Sequence, residues 1–327
     1  MYRSTRRSLM STAGILAASA LPLSQSLAAD PWPSRSMRLL VPFGAGGAMD
    51  MVARLLAPAV SQALGQPVVV ENRPGGTGTV CMAEVARAAP DGYTMMITGS
   101  SYATVSLLMR NLSFSMSDFA PLTLLSVAPS VLVVPSQLGP RTLAEFVAGA
   151  KARSGQWSFG SVGVGTSIHM GAEMLKAQAG IDLVHVPYRG WPNASTDLLT
   201  GRIQMYFSTI PDALPLIETG QLRALAVTHW ERIPALADVP TFTELGYPDV
   251  RASSDFGLSI ASATPAPIRI RLEETFRAAI RDPAMRERLL PRGIFVVGSS
   301  AEEFASILAE ETARYARIIR IANVTLE

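Results

Sequence analysis

The sequence predicts an α/β protein made of two doubly wound lobes with a ligand cleft between them and two crossover segments. Three observations carry this prediction. Short β-branched runs alternate with longer amphipathic runs in two separate series, the pattern that puts helices on both faces of a parallel sheet. About 300 residues follow an N-terminal export signal, more than a single growing core accommodates. Each series also contains a glycine loop set between a strand and a helix.

The chain opens with Arg3, Arg6 and Arg7 ahead of an apolar stretch from Leu9 to Leu23, which is short for a membrane-spanning helix. Residues 1–28 therefore read as a signal peptide. Ser26 and Ala28 have the −3/−1 spacing of a cleavage site, which puts the mature start at Ala29 or Asp30, in the periplasm. The string from Ser4 to Met10 resembles a twin-arginine signal for export in the folded state; an ordinary secretory signal is the alternative. The whole chain has 28 basic and 26 acidic residues, but the signal holds three arginines and no acid, so the mature part carries a net charge of −1. That leaves no basic patch for nucleic acid and little charge for attachment to lipid.

The first series runs through strand 37–43, helix 48–64, strand 68–71, helix 79–88 and strand 93–98, a βαβαβ pattern. Gly65 and Pro67 end the first helix, and Pro90-Asp91-Gly92 turns into the third strand. After the serine-rich stretch 111–121, Leu122 to Pro135 reads as a crossing strand interrupted by Pro129. A second series follows: strand 157–160, helix 167–179, strand 183–186, helix 192–200, strand 203–207, helix 211–219 and strand 222–228. A returning strand at 256–261 leads to a helix at 267–281 and a last helix at 301–321, the latter opened by the capping-box spacing within Ser299-Ser300-Ala301-Glu302-Glu303. The lobes are expected at residues 29–128 with 252–327, and at residues 129–251. The single cysteine, Cys81, cannot form an intramolecular disulfide, and no Cys/His cluster suggests a metal. Met95 and Met96 read as core.

The loop from Val41 to Asp50 contains Gly44, Gly46 and Gly47 and leads into a helix. Glycines let backbone N–H groups converge on one point, and the helix start adds partial positive charge, so the loop suits an anion. Gly160 to Ser167 repeats the device in the second series, with Thr166 or Ser167 as N-cap. Pro187 to Pro192 and Ser208 to Pro211 are two further strand-to-helix turns. In doubly wound sheets such turns gather at the carboxyl edges of the strands, where the crevice lies. Several helix starts aimed into one cleft can hold a carboxylate without a buried lysine.

Seven strings, spread from about Met37 to the C-terminus, together carry a family resemblance: VPFGAGGAMDMVARLLA, VVVENRPGGTGT, AAPDGYTMM, the glycine loop before SIHMGAEML, HVPYRG, TDLLTGRI and LRALAVTHWERIPALADVPTFTELG. The chain resembles a Bug-type receptor of the tripartite tricarboxylate transporter family. The resemblance implies a type II periplasmic-binding-protein fold, no catalysis and no cofactor. It implies a monomer that binds a small carboxylate (dicarboxylate, tricarboxylate, acidic amino acid or aromatic acid) and delivers it to a two-component membrane permease.

Carried over residue by residue, the first ligand loop is Phe43, Gly44, Ala45, Gly46, Gly47, Ala48, Met49 and Asp50. The second is Ser161, Val162, Gly163, Gly165, Thr166 and Ser167. Beside them stand Tyr188, Arg189, Gly190 and Trp191, and then Ser208 and Thr209. Met49 replaces a small or hydroxyl residue of the family pattern, Trp191 a glycine, and Ser208-Thr209 a frequent Asp-Asn. Asp50 is expected to cap free N–H groups or to orient a ligand-bound water. Arg189 either pairs with a ligand carboxylate or faces solvent, and His169 reads as a structural helix-face histidine. Trp191 either lines the cleft or packs on the second lobe.

The alternative is an exported nicotinamide-dependent oxidoreductase, since Gly44-x-Gly46 follows a strand and Glu71 ends the next one, where a ribose-binding acid belongs. Met49 stands in place of the third fingerprint glycine and weakens that reading. A hydrolase is disfavoured because the chain has no GxSxG.

Overall fold

In the computed structural model, residues 32–324 are described; the signal-peptide reading of residues 1–28 lies outside them. From Pro33 onward the chain packs as one unit. β1 (Met37–Val41) is buried at four of its five positions, as expected of a strand covered on both faces. α1 (Ala48–Leu64) packs Val52, Leu56 and Val60 inward and stops at Gly65, whose φ of 73° is the left-handed C-cap conformation. β2 (Val68–Asn72), α2 (Thr79–Arg87) and β3 (Thr94–Thr98) complete the first winding, with β1 parallel to both neighbouring strands. α3 (Ser101–Leu108) follows at once, and then comes the 17-residue strand β4 (Phe119–Pro135).

The second winding comprises α4 (Leu143–Ala152), β5 (Ser158–Ser161), α5 (Ser167–Ala179), β6 (Val184–Pro187), α6 (Trp191–Leu199), β7 (Met205–Thr209), α7 (Ile210–Glu218) and β8 (Leu222–Val227). The chain returns through β9 (Ser253–Ala261) and ends with α8 (Ala266–Arg281), α9 (Pro283–Leu289), β10 (Phe295–Val296) and α10 (Ala301–Ile321).

The strand order is β2-β1-β3-β9-β4-β7-β5-β6, with β8 and β10 also on β4. β4 belongs to both lobes. Its first part pairs antiparallel with β9, from Phe119 opposite Ala261 to Pro129 opposite Ser253. Its second part, from Ser130, pairs with β7 and β8. The strand is continuous through Pro129, where a break was expected. Proline has no N–H to donate, and Pro129 stands where β4 changes partners, so no ladder bond is forfeited there. The crossing segments β4 and β9 are thus bonded neighbours, continued by the Ser130 N–H donating to the Ala252 carbonyl at 3.0 Å.

Three helices were not predicted. α3 buries its first five residues and shows no polar face, so it lacks amphipathic contrast. α4 has a Thr142 N-cap whose hydroxyl accepts from the Glu145 N–H. α9 is one short segment behind Pro283. The second lobe's core is built on Val131 to Val134, Phe146, Phe159, Phe207 and their neighbours. The first lobe's satellite cluster contains Cys81, whose thiol burial pushes up to about 12, so it is inert. α10 touches both lobes, with Tyr315 packed on Ala103 and Met170.

Candidate ligand cleft

The β1–α1 loop forms one wall of the cleft. Gly47 is the N-cap of α1 and offers no side chain to the free N–H groups of the first turn. Gly46 has a φ of 87°, and a Cβ at Gly44, Gly46 or Gly47 would meet nothing within 4 Å, so this stretch faces open space. Asp50 braces the loop from beneath. Its carboxylate accepts from the Gly46 N–H at 3.1 Å, Arg54 Nε at 3.0 Å and Asn72 Nδ2 at 3.0 Å, while Asn72 also donates to the Phe43 carbonyl. Burial alone would raise the Asp50 pKa, but Arg54, Gly46 and Asn72 together hold it below the ordinary value. These contacts tie Asp50 to the loop ahead of the N-cap, to α1 and to β2.

The second wall is the β5–α5 loop, where the structure assigns the backbone differently from expectation. The Gly163 N–H donates to Ser161 Oγ at 3.0 Å and the Gly165 N–H to His169 Nδ1 at 3.1 Å, so both are already satisfied within the lobe. Ser161 Oγ in turn contacts His185 Nε2 at 2.7 Å, and the rings of His169 and His185 stack with centroids 4.1 Å apart. Burial lowers both imidazoles, His169 to about 3 and His185 to about 4, so both are neutral and His169 Nδ1 is free to accept. The glycines serve the approach of the first lobe. A Cβ at Gly163 would lie 2.7 Å from Thr77 Oγ1, and one at Gly165 2.6 Å from Leu108 Cδ1 and 2.8 Å from Thr104 Oγ1. Thr104 Oγ1 donates to the Gly165 carbonyl at 2.8 Å, and the Ser167 N–H to Ser100 Oγ at 2.7 Å. These bonds hold the two walls together.

The cavity between the walls is narrow, about 70 Å³, and part of it is open to solvent. Of the residues expected there, Phe43, Gly44, Gly47, Ala48, Met49, Asp50, Val162, Thr166, Ser167, Gly190, Trp191 and Thr209 line it. Ala45, Gly46, Ser161, Gly163, Gly165, Tyr188, Arg189 and Ser208 do not. Arg189 is exposed, and Tyr188 donates its hydroxyl to Asp197 at 2.9 Å. Trp191 has both of its anticipated roles, since it lines the cleft and packs on the second lobe's core with its ring 5.1 Å from that of Tyr206.

Seven lining residues were missed: Gly99, Ser100, Ile168, Tyr206, Asp212, Ser254 and Phe256. Ser100 precedes the unpredicted α3, and Ser254 belongs to the unread start of β9. Tyr206 lies within the strand expected at 203–207 and Asp212 within the helix expected at 211–219, and nothing in the sequence singles either out. In the structure Thr209 Oγ1 donates to Asp212 Oδ2 at 2.7 Å, and the Ala48 backbone at the start of α1 faces the Asp212 carboxylate and helps to lower its pKa. Burial outweighs both and pushes the Asp212 pKa up to about 6. The lining contains two acids and no Lys, Arg or His.

Glu71, the acid on which a nicotinamide site would depend, accepts from Arg38 Nε and NH2 at 2.9 Å and from Arg73, and is absent from the lining. A two-lobed α/β body joined by two crossing strands, with helix starts facing a cleft of this kind, defines a periplasmic solute-binding receptor. Comparison with known proteins gives the family. The model for the tripartite tricarboxylate transporter family receptor matches residues 52–324, and the chain belongs to that family. BugT of Bordetella pertussis is 32% identical over 322 residues, 98% of each chain. The structure of periplasmic binding protein BugD superposes with a TM-score of 0.85 at 30% identity, covering 90% of this chain and 100% of its own. R. palustris Rpa4515 with adipate gives 0.86 at 30% identity, covering 90% and 99%.

Proposed function

We propose that the protein is exported through a cleaved signal in residues 1–28 and captures a small carboxylate between lobes formed by residues 29–128 with 252–327 and by residues 129–251. We propose further that it acts as a monomer and delivers the ligand to a two-component membrane permease. The observation that carries the reading is the α1 N-terminus: it has no side-chain cap and opens, through a glycine loop fixed by Asp50, onto a cleft lined by aromatic rings and hydroxyls. Such a terminus favours an anion by about 0.3 to 1 kcal/mol when exposed, and more when the cleft shuts out water. The adipate bound by Rpa4515 supports a carboxylate as ligand. In this reading the cleft binds and releases its ligand unchanged.

A thermal-shift screen of the chain from Ala29 against dicarboxylates, tricarboxylates, acidic amino acids and aromatic acids tests the reading. A true ligand at 100 times its Kd adds about 2.7 kcal/mol and raises the melting temperature visibly. A panel in which no carboxylate raises it would overturn the proposal.

A further inference from the structure

We propose that Asp212 sets the ligand class of the cleft, so that the preferred ligand is a small acid with one carboxylate and one hydroxyl, the hydroxyl donating to Asp212 and accepting from Tyr206. The inference deepens the carboxylate-receptor reading and rests on it.

The first argument is charge. The acids facing the cleft are Asp50 from α1 and Asp212 from α7, and no lining residue is a cation. Asp50 is compensated from behind by Arg54. Asp212 has no such compensation: it faces the neutral Thr209 hydroxyl and the Ala48 backbone. A ligand with two or three carboxylates would press a second negative charge against Asp212 in a partly enclosed site, where like charges repel more strongly than in bulk water.

The second argument is occupancy. Ala48 begins α1, so its N–H is one of the donors a bound anion would be expected to use. Asp212 faces it, and so the protein's own carboxylate stands in one place that a second ligand carboxylate would need. A carboxylate accepts about four hydrogen bonds, and the Thr209 hydroxyl uses one, which leaves room for a donor brought by the ligand.

The third argument is the unmatched hydroxyl. Tyr206 is fully buried and lines the cleft, and among the described residues its hydroxyl has no hydrogen-bond partner. Burial first and the Asp212 charge next raise its pKa well above the ordinary value, so it stays protonated and can donate. A buried polar group without a partner is costly, and a ligand that supplies one gains that difference. An ammonium could donate to Asp212 and to the Tyr206 oxygen but has no acceptor for the Tyr206 O–H, whereas a hydroxyl donates to the one and accepts from the other. The Phe43, Trp191 and Phe256 rings give the rest of the ligand an apolar, flat surround.

Calorimetric titration at pH 7.5 with two matched sets tests the assignment: 4-hydroxybenzoate, benzoate and terephthalate; and 6-hydroxyhexanoate, hexanoate and adipate. In at least one set the hydroxy acid should bind wild type about ten-fold or more tighter than either companion. Asp212→Ser should weaken the hydroxy acid and strengthen the dicarboxylate of that set, inverting the order. Tyr206→Phe should weaken the hydroxy acid about ten-fold and leave the unsubstituted acid unchanged. Wild type binding a dicarboxylate as tightly as the hydroxy acid overturns the inference, as does an unchanged ranking in a folded Asp212→Ser protein. Should Asp212→Ser not fold, the wild-type ranking and Tyr206→Phe decide. If no acid of either set binds wild type, the carboxylate reading falls and the inference with it. If acids bind in another order, only the role of Asp212 falls.

Discussion

Asp50 shows how one side chain can prepare a site that others line. It is buried, with three kinds of donor on its carboxylate, and it ties the glycine loop, α1 and the end of β2 to one another. Asp50→Ala would leave the Asn72 amide and the Gly46 N–H short of an acceptor, a loss of about 1 to 3 kcal/mol. We expect a lower urea midpoint and weaker ligand binding together; Asp50→Asn, which keeps the shape and one acceptor, should lose less of both. An Asp50→Ala protein with unchanged midpoint and affinity would show that the loop is held by its backbone alone. The sequence revealed Asp50 because a helix-start acid after glycines has few roles. It concealed Asp212, because another helix-start acid, in the first turn of α7, looks the same until the fold sets it against Ala48 of the other lobe. It concealed Tyr206 for a similar reason: a short strand run marks its residues as buried, as all five of β7 are, but not whether a hydroxyl finds a partner.

At the scale of elements, chain ends were legible where a cap marks them. α1, α5 and α10 begin and end where the sequence placed them, at Gly65 and Gly180 in left-handed conformation and at the Ser300/Glu303 capping box. α3 could not be read because hydroxyl and apolar residues are mixed around it: Ser101 and Thr104 are buried with Tyr102, Ala103 and Val105, and Thr104 bonds the second lobe's loop. The glycine loops looked equivalent in sequence, yet the structure separates them. Gly47 has a φ of −89° and open space around its missing Cβ, while Gly165 has a φ of 84° and meets Leu108 and Thr104 of the facing lobe. Gly47→Ala should therefore leave stability almost unchanged, whereas Gly165→Ala should destabilise by about 1 kcal/mol or more from backbone strain alone. The second variant should also scatter X-rays as a more open molecule, because its Cβ falls where the walls meet. Equal melting temperatures for the two variants would refute this division of labour.

For the whole molecule, the decisive feature is that two bonded strands, β4 and β9, carry the chain between lobes, with α10 laid across them. A buried charge cluster sits at this crossing. Asp255 of β9 lies opposite Val127 of β4, and Glu311 and Arg314 of α10 are paired at 2.8 Å. Burial first, and then the negative charge of Asp255, push Glu311 above the ordinary carboxylate range, against the pull of Arg314; burial likewise raises Asp255. One arginine thus serves two enclosed acids, and a proton on one of them relieves the conflict. The native state then holds a proton that the unfolded chain releases, so the contribution to stability is whole below the ordinary carboxylate pKa. It declines as pH rises from there through the raised native value. Glu311→Gln keeps the shape and an acceptor for Arg314, and it removes the repulsion on Asp255. Denaturant titrations across pH should give matching stabilities for wild type and variant in acid, then a growing advantage for the variant as pH rises. Parallel curves would mean that Glu311 is ionised throughout and that Arg314 alone balances both acids. The crossing would then hold its charges without a proton, and the hinge would be indifferent to pH over that range.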